Sequence, residues 1–395
     1  MTPELPTPRF RSRLHDERTA ALLGAALGIA FTTCFVTGLL SHVAQDPHPW
    51  FAWPTRPAGL YRFTQGLHVA TGLAAIPLLL AKLWTVYPQL FQRPVVRSVA
   101  HGIERLAIVP LVAGSLFMLF TGFGNINLWY PWPFNFRTSH YWVAWITIGA
   151  LVVHLGAKWS TTRHALGRAA PDAASEPTSE PASEPASEPA STPARVDALG
   201  RRGFLLAIGG AAAGVTLFTI GQTVWPLRKL ALLAPRRPDT GPQGFPVNRT
   251  AQAAGVESTA TDPEYRLTVE GAVRTPLSFS LAELRALPHH GATLPIACVE
   301  GWSASRTWQG IRVRDLLARA GAREGASVRV ESLQARFSYA TSELTAAQAD
   351  DVDTLLALRV EGEELHLDHG FPIRLIAPNR PGVEQTKWVT RLVVT

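Results

Sequence analysis

Two sets of side chains in this sequence have types and spacings suited to metal chemistry. The first is a single cysteine. Cys298 stands in Leu294-Pro-Ile-Ala-Cys298-Val-Glu-Gly-Trp302-Ser and is the only cysteine in the polar half of the chain; the other, Cys34, lies in an apolar segment. One thiol cannot form an internal disulfide there, and the usual zinc sites need further ligands at short spacing. A thiolate is a ligand for soft metals, although a free cysteine is also a common core residue. The context favours a site. Cys298 closes a short apolar run and is followed at once by Glu300, Gly301, Trp302 and Ser303, and a strand ending in a tight polar loop is where functional groups are often built.

The second set is histidine: His42, His48, His68, His101, His140 and His154 fall at the ends of apolar segments. His140 and His154 are separated by about 21 Å along a helix axis and by about 40° around it. Ligands so placed suit two stacked haems. His68 opens an apolar segment on the same side as His140, so those two can hold one b-type haem between two imidazoles. The residue that would mirror His154 on the His68 helix is Lys82, which leaves a second site without its symmetrical partner; His101 is the candidate to pair with His154. The alternative is that the histidines are amphipathic anchors, which suits His42 and His48. Ionisable groups within a span are functional by default, which favours His68, His140 and His154.

The elements that must position these groups follow from composition. The chain has 395 residues and a net charge of +7, enough for two or three units. Apolar windows cover about 20–41, 66–83, 106–123 and 141–157, with a fifth near residue 210, so a membrane protein with a soluble part is expected. The basic excess flanks these windows: Arg9, Arg11, Arg13 and Arg18 precede the first, Arg93, Arg97 and Arg105 lie between the second and third, and Lys158, Arg163 and Arg168 follow the fourth. Positive charge on the inner side puts the start of the chain in the cytoplasm and returns it there after four crossings. The intervening outer loops are aromatic (Trp50, Phe51, Trp53, Tyr61; Trp129, Tyr130, Trp132, Phe134) and are expected to form an interfacial belt. No basic run is interleaved with aromatics, which argues against nucleic acid as a partner.

From Pro171 to Pro193 the chain repeats Ser-Glu-Pro-Ala with almost no large apolar residue, the composition of a disordered linker. Gly200-Arg201-Arg202-Gly-Phe204 then introduces a Gly- and Ala-rich apolar run to about Trp225. Paired arginines before such a run look like a twin-arginine export signal retained as a fifth helix. Beyond it, Leu267-Thr-Val-Glu and Val328-Arg-Val-Glu alternate as half-buried strands, Leu281–Leu287 and Val313–Ala320 read as short helices, and Arg391–Thr395 as a last strand. An α+β domain of this length can bury one good core.

Six stretches in order carry a resemblance: Tyr265-Arg-Leu-Thr-Val-Glu-Gly271, Phe279-Ser-Leu-Ala-Glu-Leu284, Cys298-Val-Glu-Gly-Trp302, Trp308-Gln-Gly-Ile-Arg-Val-Arg-Asp-Leu-Leu317, His369-Gly-Phe-Pro-Ile-Arg374 and Lys387-Trp388-Val389. Residues 245–395 resemble the molybdopterin-binding domain of the sulfite oxidase superfamily, and in particular the branch of the periplasmic methionine-sulfoxide reductase catalytic subunit. The resemblance implies a Mo-molybdopterin cofactor with Cys298 as the protein thiolate on molybdenum. It further implies that His369, Arg374, Gln385, Thr386 and Lys387 contact the cofactor and that Asn248 lies near the metal. The preceding helices resemble the membrane b-type cytochromes that exchange electrons with quinone.

Two departures bear on substrate. The sulfite-oxidising branch places arginines just after its cysteine, where this chain has Val299, Glu300, Gly301 and Trp302, with Arg306 further on. The methionine-sulfoxide branch has a glycine- and lysine-rich turn where this chain reads Asn379-Arg380-Pro381-Gly382-Val383-Glu384. Trp302, Arg306 and Tyr339 are pocket candidates by proximity to the motifs.

The expected architecture is multi-domain. A cytoplasmic N-terminus (1–19) leads to a four-helix transmembrane domain (20–160), a linker (161–199), a tethering fifth helix (200–226), a tether (227–244) and the α+β molybdopterin domain (245–395). The expected activity is a molybdenum oxidoreductase reaction outside the cytoplasmic membrane, oxygen-atom transfer or a similar two-electron step, coupled to quinone or another redox partner and to b haem. Reduction of a sulfoxide-type substrate is slightly favoured. The alternatives are a quinone-linked oxidase of a small oxyanion such as sulfite, or a cofactor-free membrane-anchored binding domain.

Overall fold

The computed structural model describes residues 14–46, 51, 53–91, 98–167, 200–335 and 339–395. Among them, five helices are long and apolar enough to cross a membrane: α1 (Glu17–Ala44), α2 (Leu60–Val86), α3 (Val99–Ile126), α4 (Phe136–Gly167) and α5 (Arg201–Ile220). Asp16 caps α1 by accepting from the Thr19 N–H at 2.7 Å, and Ser98 caps α3 by accepting from the His101 N–H at 3.2 Å. Such caps carry the helices several residues past the apolar windows seen in sequence. Large apolar side chains face outward along all five, among them Ile29, Leu80, Val109, Ile146 and Leu206, as expected of helices that meet lipid. α1 packs on α2 and α4, α3 on α4, and α5 on α2.

Two expectations about boundaries change. α4 continues to Gly167, into the segment read as linker; the Ser-Glu-Pro-Ala repeat and His48 lie outside the described residues. The fifth helix stops at Ile220 rather than near Trp225. Gly221 ends it, and Pro226 then sits at the start of a separate 3-10 turn over Trp225–Leu230.

The C-terminal part is α+β. Its helices are the short α6 (Ala251–Ala254) and α7 (Glu257–Ala260), then α8 (Leu281–Ala286), α9 (Val313–Ala320) and α10 (Ala346–Asp350). One sheet has the order β2 (Leu277–Ser280), β1 (Arg266–Gly271), β10 (Val389–Val394), β5 (Val328–Ser332), β6 (Thr341–Leu344), with β1 parallel to β10. The other runs β3 (His290–Ala297), β4 (Ser303–Arg312), β7 (Leu355–Val360), β8 (Glu363–Glu364), with β9 (Arg374–Ile376) also paired to β7. Alternating residues fill the cores: Leu267 and Val269 with Val328, Val330 and Leu392 under the first sheet, and Leu294, Ile296, Trp308 and Leu355 with Phe245 under the second.

The two parts dock closely. The segment before α2 meets Asn379, whose φ of 53° places it in the left-handed region. Its backbone carbonyl accepts from Trp53 Nε1 at 2.9 Å, its N–H donates to the Ala58 carbonyl at 3.2 Å, its Oδ1 accepts from the Tyr61 N–H at 2.6 Å and its Nδ2 donates to the Pro54 carbonyl at 2.5 Å. Arg56 bridges Asp351 at 2.8 Å and Asp353 at 2.6 Å. This corrects the reading of Trp53 and Tyr61 as belt residues: both are buried, at 9 % and 1 % exposure. An aromatic ring with a polar edge suits a protein interface as well as a lipid one.

Candidate active site

β3 delivers Cys298. The strand ends at Ala297, and the loop after it is closed by the Cys298 N–H donating to the Trp302 carbonyl at 2.9 Å and the Gly301 N–H donating to the Cys298 carbonyl at 3.0 Å. Gly301 has φ +88°; a Cβ there would lie 2.8 Å from Gln222 Nε2 and 3.2 Å from Val69, so the loop fits only with glycine. Asn248 Nδ2 donates to Cys298 Sγ at 3.0 Å. Burial, and next the charge of Glu300, push the thiol up to about 12.

Cys298 opens onto a cleft of about 480 Å³. All seven positions singled out in this domain line it: Asn248, Cys298, His369, Arg374, Gln385, Thr386 and Lys387. His369 stacks on Phe245 with centroids 3.6 Å apart, and its Nε2 lies 2.7 Å from the Pro242 carbonyl, an acceptor only, so that nitrogen carries the proton. Burial and the neighbouring Arg374 hold its pKa down to about 3. Arg374 is 6 % exposed; burial lowers its pKa to about 9, and it donates from one terminal nitrogen to the His369 carbonyl at 3.1 Å. Lys387 Nζ donates to the Arg249 and Asp368 carbonyls at 2.5 and 2.9 Å, and burial depresses its pKa well below the lysine range. Gln385 Oε1 accepts from the Ala377 N–H at 3.0 Å, and Thr386 Oγ1 shares a hydrogen bond with Ser342 at 2.7 Å. Of the proximity candidates, Trp302 and Tyr339 line the cleft. Arg306 does not: it donates to the Gly244 and Ser305 carbonyls and lies over the Phe245 ring.

The cleft has a second wall that sequence reasoning missed. Asn125 at the end of α3, Tyr130, Phe134 and Asn135 in the α3–α4 connection, and Phe136 and Arg137 at the start of α4 all line it. Tyr130 and Phe134, expected from sequence in an interfacial belt, line the cleft instead. The signal available was the density of Asn and Arg among them, which a purely interfacial belt does not need. The Cys298 loop also rests on the helices. The Val299 carbonyl accepts from Asn125 Nδ2 at 3.1 Å and Gln65 Nε2 at 3.4 Å, Thr223 Oγ1 donates to the Gly301 carbonyl, and the Ser303 N–H donates to the Gln222 carbonyl at 2.8 Å.

One turn below Gln65, His68 faces His140, with ring centroids 6.1 Å apart at 66°. His68 Nδ1 lies 2.9 Å from the Cys34 carbonyl and His140 Nδ1 lies 2.8 Å from Thr121 Oγ1. Among the described residues the Nδ1 atoms carry the hydrogen bonds of both rings, and neither Nε2 atom has a partner in the bundle. Two imidazoles bound to one metal at about 2 Å each have centroids roughly 6 Å apart. Small residues lie against both rings: a Cβ at Gly38 would be 3.0 Å from His68 Cε1, and one at Gly122 would be 3.6 Å from His140 Cε1. His154 is not part of this pair; its Nδ1 is buried with no hydrogen-bond partner. Lys82, at the position that would mirror it, donates to the Ala20 carbonyl at 2.6 Å.

The model of the oxidoreductase molybdopterin binding domain family matches residues 253–395. The chain is 31% identical over 155 residues to an uncharacterized oxidoreductase, YuiH, of Bacillus subtilis, covering 38% of this chain and 74% of that protein. It belongs to the molybdopterin-binding oxidoreductase family. It is also 34% identical over 131 residues to a putative protein-methionine-sulfoxide reductase subunit, YedZ1, of Azospira oryzae, covering 33% of this chain and 49% of the relative. Sulfite oxidase of Gallus gallus is 34% identical over 165 residues, 34% of this chain and 36% of the relative. The chain thus spans half or less of those two relatives. As a member of this family it is a molybdopterin-dependent oxidoreductase, and molybdopterin is the cofactor its family implies. Two buried polar atoms on the cleft, Arg374 Nε and Gln334 Oε1, find no hydrogen-bond partner among the described residues. They are groups that a polar cofactor would satisfy.

Proposed function

We propose that this molybdopterin oxidoreductase is a multi-pass membrane enzyme that carries out oxygen-atom transfer, or a similar two-electron reaction, outside the cytoplasmic membrane, with electrons passing between quinone and the active site through the helical bundle. The observation that carries the reading is the seating of the Cys298 loop on α2 and α3. Gln65 contacts Val299, the neighbour of Cys298, and lies on the same face of α2 as His68, one turn away. Two redox sites joined by so short a stretch of protein need no mobile carrier between them. The basic flanks at Arg9–Arg18 and Lys158–Arg168 support the orientation, with α5 as a retained, twin-arginine-like export helix.

In this reading Cys298 supplies the protein thiolate, and Asn248 stabilises that sulfur. Arg374 offers a planar fork and Lys387 a point charge to the cofactor's phosphate. His369, Gln385 and Thr386 bound its polar edge. Molybdenum bound there supplies the two-electron redox centre. His68 and His140 hold a b-type haem, which supplies one-electron transfer, and their Nδ1 hydrogen bonds fix the ring orientations.

Reduction of a sulfoxide is the favoured direction. The residues after Cys298 resemble the reductase branch, and one relative carries that name. Oxidation of a small oxyanion such as sulfite is the second reading, supported by Arg137, Arg249, Arg374 and Lys387 around one cleft.

The test is elemental molybdenum together with a reduced-minus-oxidised visible spectrum on detergent-purified protein. Quinol-reduced enzyme is then mixed with methionine sulfoxide. About one molybdenum per chain, a b-type spectrum and reoxidation by the sulfoxide support the full reading. Molybdenum without haem removes the electron path; absence of both removes the enzyme.

A further inference from the structure

One of the cations lining the cleft, Arg137, is supplied by the helical part. We propose that Arg137 is the specificity-determining residue of the active site and selects substrates bearing an anionic oxygen pair, such as a sulfur oxyanion or the carboxylate of a sulfoxide amino acid. The inference rests on the cleft being the oxidoreductase site.

The residues that follow Cys298 offer no arginine: they are Val299, Glu300, Gly301 and Trp302. In the proposed function Arg374 and Lys387 serve the cofactor's phosphate, and each also donates to the protein's own carbonyls. Arg374 donates to His369, and Lys387 to Arg249 and Asp368. The Glu300 carboxylate, also on the cleft, is faced by Arg236 at 3.5 Å. Arg306 points elsewhere. Arg137 lines the same cleft from the opposite wall and is exposed to it.

The wall holding it is fixed. Phe136, 3 % exposed, stacks on Phe134 at 4.8 Å and packs edge-on against Tyr130 at 5.1 Å. Tyr130 donates to Asn125 Oδ1 at 3.2 Å, and Asn125 in turn holds the Val299 carbonyl at 3.1 Å. Asn135 caps α4 by accepting from the Thr138 N–H at 3.1 Å. The first turn of α4 is thereby placed relative to Cys298 through a chain of named contacts.

The guanidinium itself is only lightly engaged. It donates to Tyr339 OH at 2.5 Å and to Gln45 Oε1 at 3.4 Å, both neutral oxygens, and forms no salt bridge with a carboxylate among the described residues. It also lies 5.4 Å from the Tyr339 ring centroid. Five N–H donors in a planar fork, with two in use, leave a bidentate face for an anion.

The experiment uses full-length holoenzyme in detergent with Arg137→Gln and Arg137→Lys. Sulfite and methionine sulfoxide are the anionic probes and dimethyl sulfoxide the neutral one. For whichever anion is turned over, Arg137→Gln is expected to raise KM roughly 10–100-fold, the size of one lost charged hydrogen bond, with kcat much less affected. Arg137→Lys recovers part of the loss, and KM for dimethyl sulfoxide and the molybdenum content do not move. An equal change for dimethyl sulfoxide, or no change for the anions, overturns the proposal. Phosphate binding by calorimetry reads the site without turnover. Loss of phosphate affinity in Arg137→Gln supports the proposal even in a preparation that turns over none of the substrates, and unchanged affinity overturns it. Loss of the function reading shows separately, as absence of molybdenum.

Discussion

Asn248 Nδ2 lies 3.0 Å from Cys298 Sγ, although the two residues are 50 positions apart in sequence. The contact joins the segment that enters the domain to the loop after β3. A donor on a ligating sulfur tunes the metal, and removing such a partner typically costs about 10–100-fold in activity or metal affinity. Asn248→Leu is expected to lower activity per molybdenum by that order while leaving the fold intact. Asn248→Asp is expected to be worse, because it sets a negative charge beside the thiolate. Specific activity normalised to elemental molybdenum checks both.

Arg374 is buried and Lys387 half-buried on one cleft, and the charge of Arg374 adds to the cost of a charged Lys387. An anionic cofactor group relieves that cost. Arg374→Met and Lys387→Met are each expected to weaken cofactor retention by roughly 10–100-fold, about 1.5–3 kcal/mol per charged hydrogen bond. Molybdenum per chain after gel filtration reads the effect; full occupancy in both variants would place the phosphate elsewhere.

His68 and His140 make a prediction independent of molybdenum. His68→Leu and His140→Leu are each expected to abolish a b-type spectrum and leave molybdenum bound. Thr121→Val, which removes the hydrogen bond to His140 Nδ1, is expected to keep the spectrum and shift the haem potential. A spectrum that survives both leucine variants assigns any haem to other ligands.

The α+β domain and the seven cleft positions in it were legible because strand alternation and six ordered motifs mark them locally. The second wall was not. The rings of Tyr130, Phe134 and Trp53 do not by themselves separate a face on lipid from one on another domain, since both environments want an apolar body with a polar edge, and the Asn and Arg residues beside them are the only local sign of the difference. Asn379 shows the same limit from the other side. Its turn departs from the motif of the resembled branch, and the structure uses it to grip residues 53–61 rather than a cofactor. Helix ends were set by caps and by Gly221 and Pro226, which an apolar window does not register.

Asn379 therefore carries a stability prediction. Asn379→Ala leaves the Tyr61 N–H and the Pro54 carbonyl without the partners they have now, at about 1–3 kcal/mol for each buried group left unsatisfied. The expected result is a lower unfolding temperature for the C-terminal domain and faster proteolysis where it meets the helices. Unchanged thermal and proteolytic behaviour would mean that the docking is held elsewhere.

The central claim is that the Cys298 sulfur is bonded to molybdenum. Molybdenum K-edge absorption fine structure on wild-type protein and on Cys298→Ser tests it most directly. The expected result is three sulfur neighbours in the wild type and two in the variant, with activity lost. The same sulfur count in both proteins would contradict the assignment.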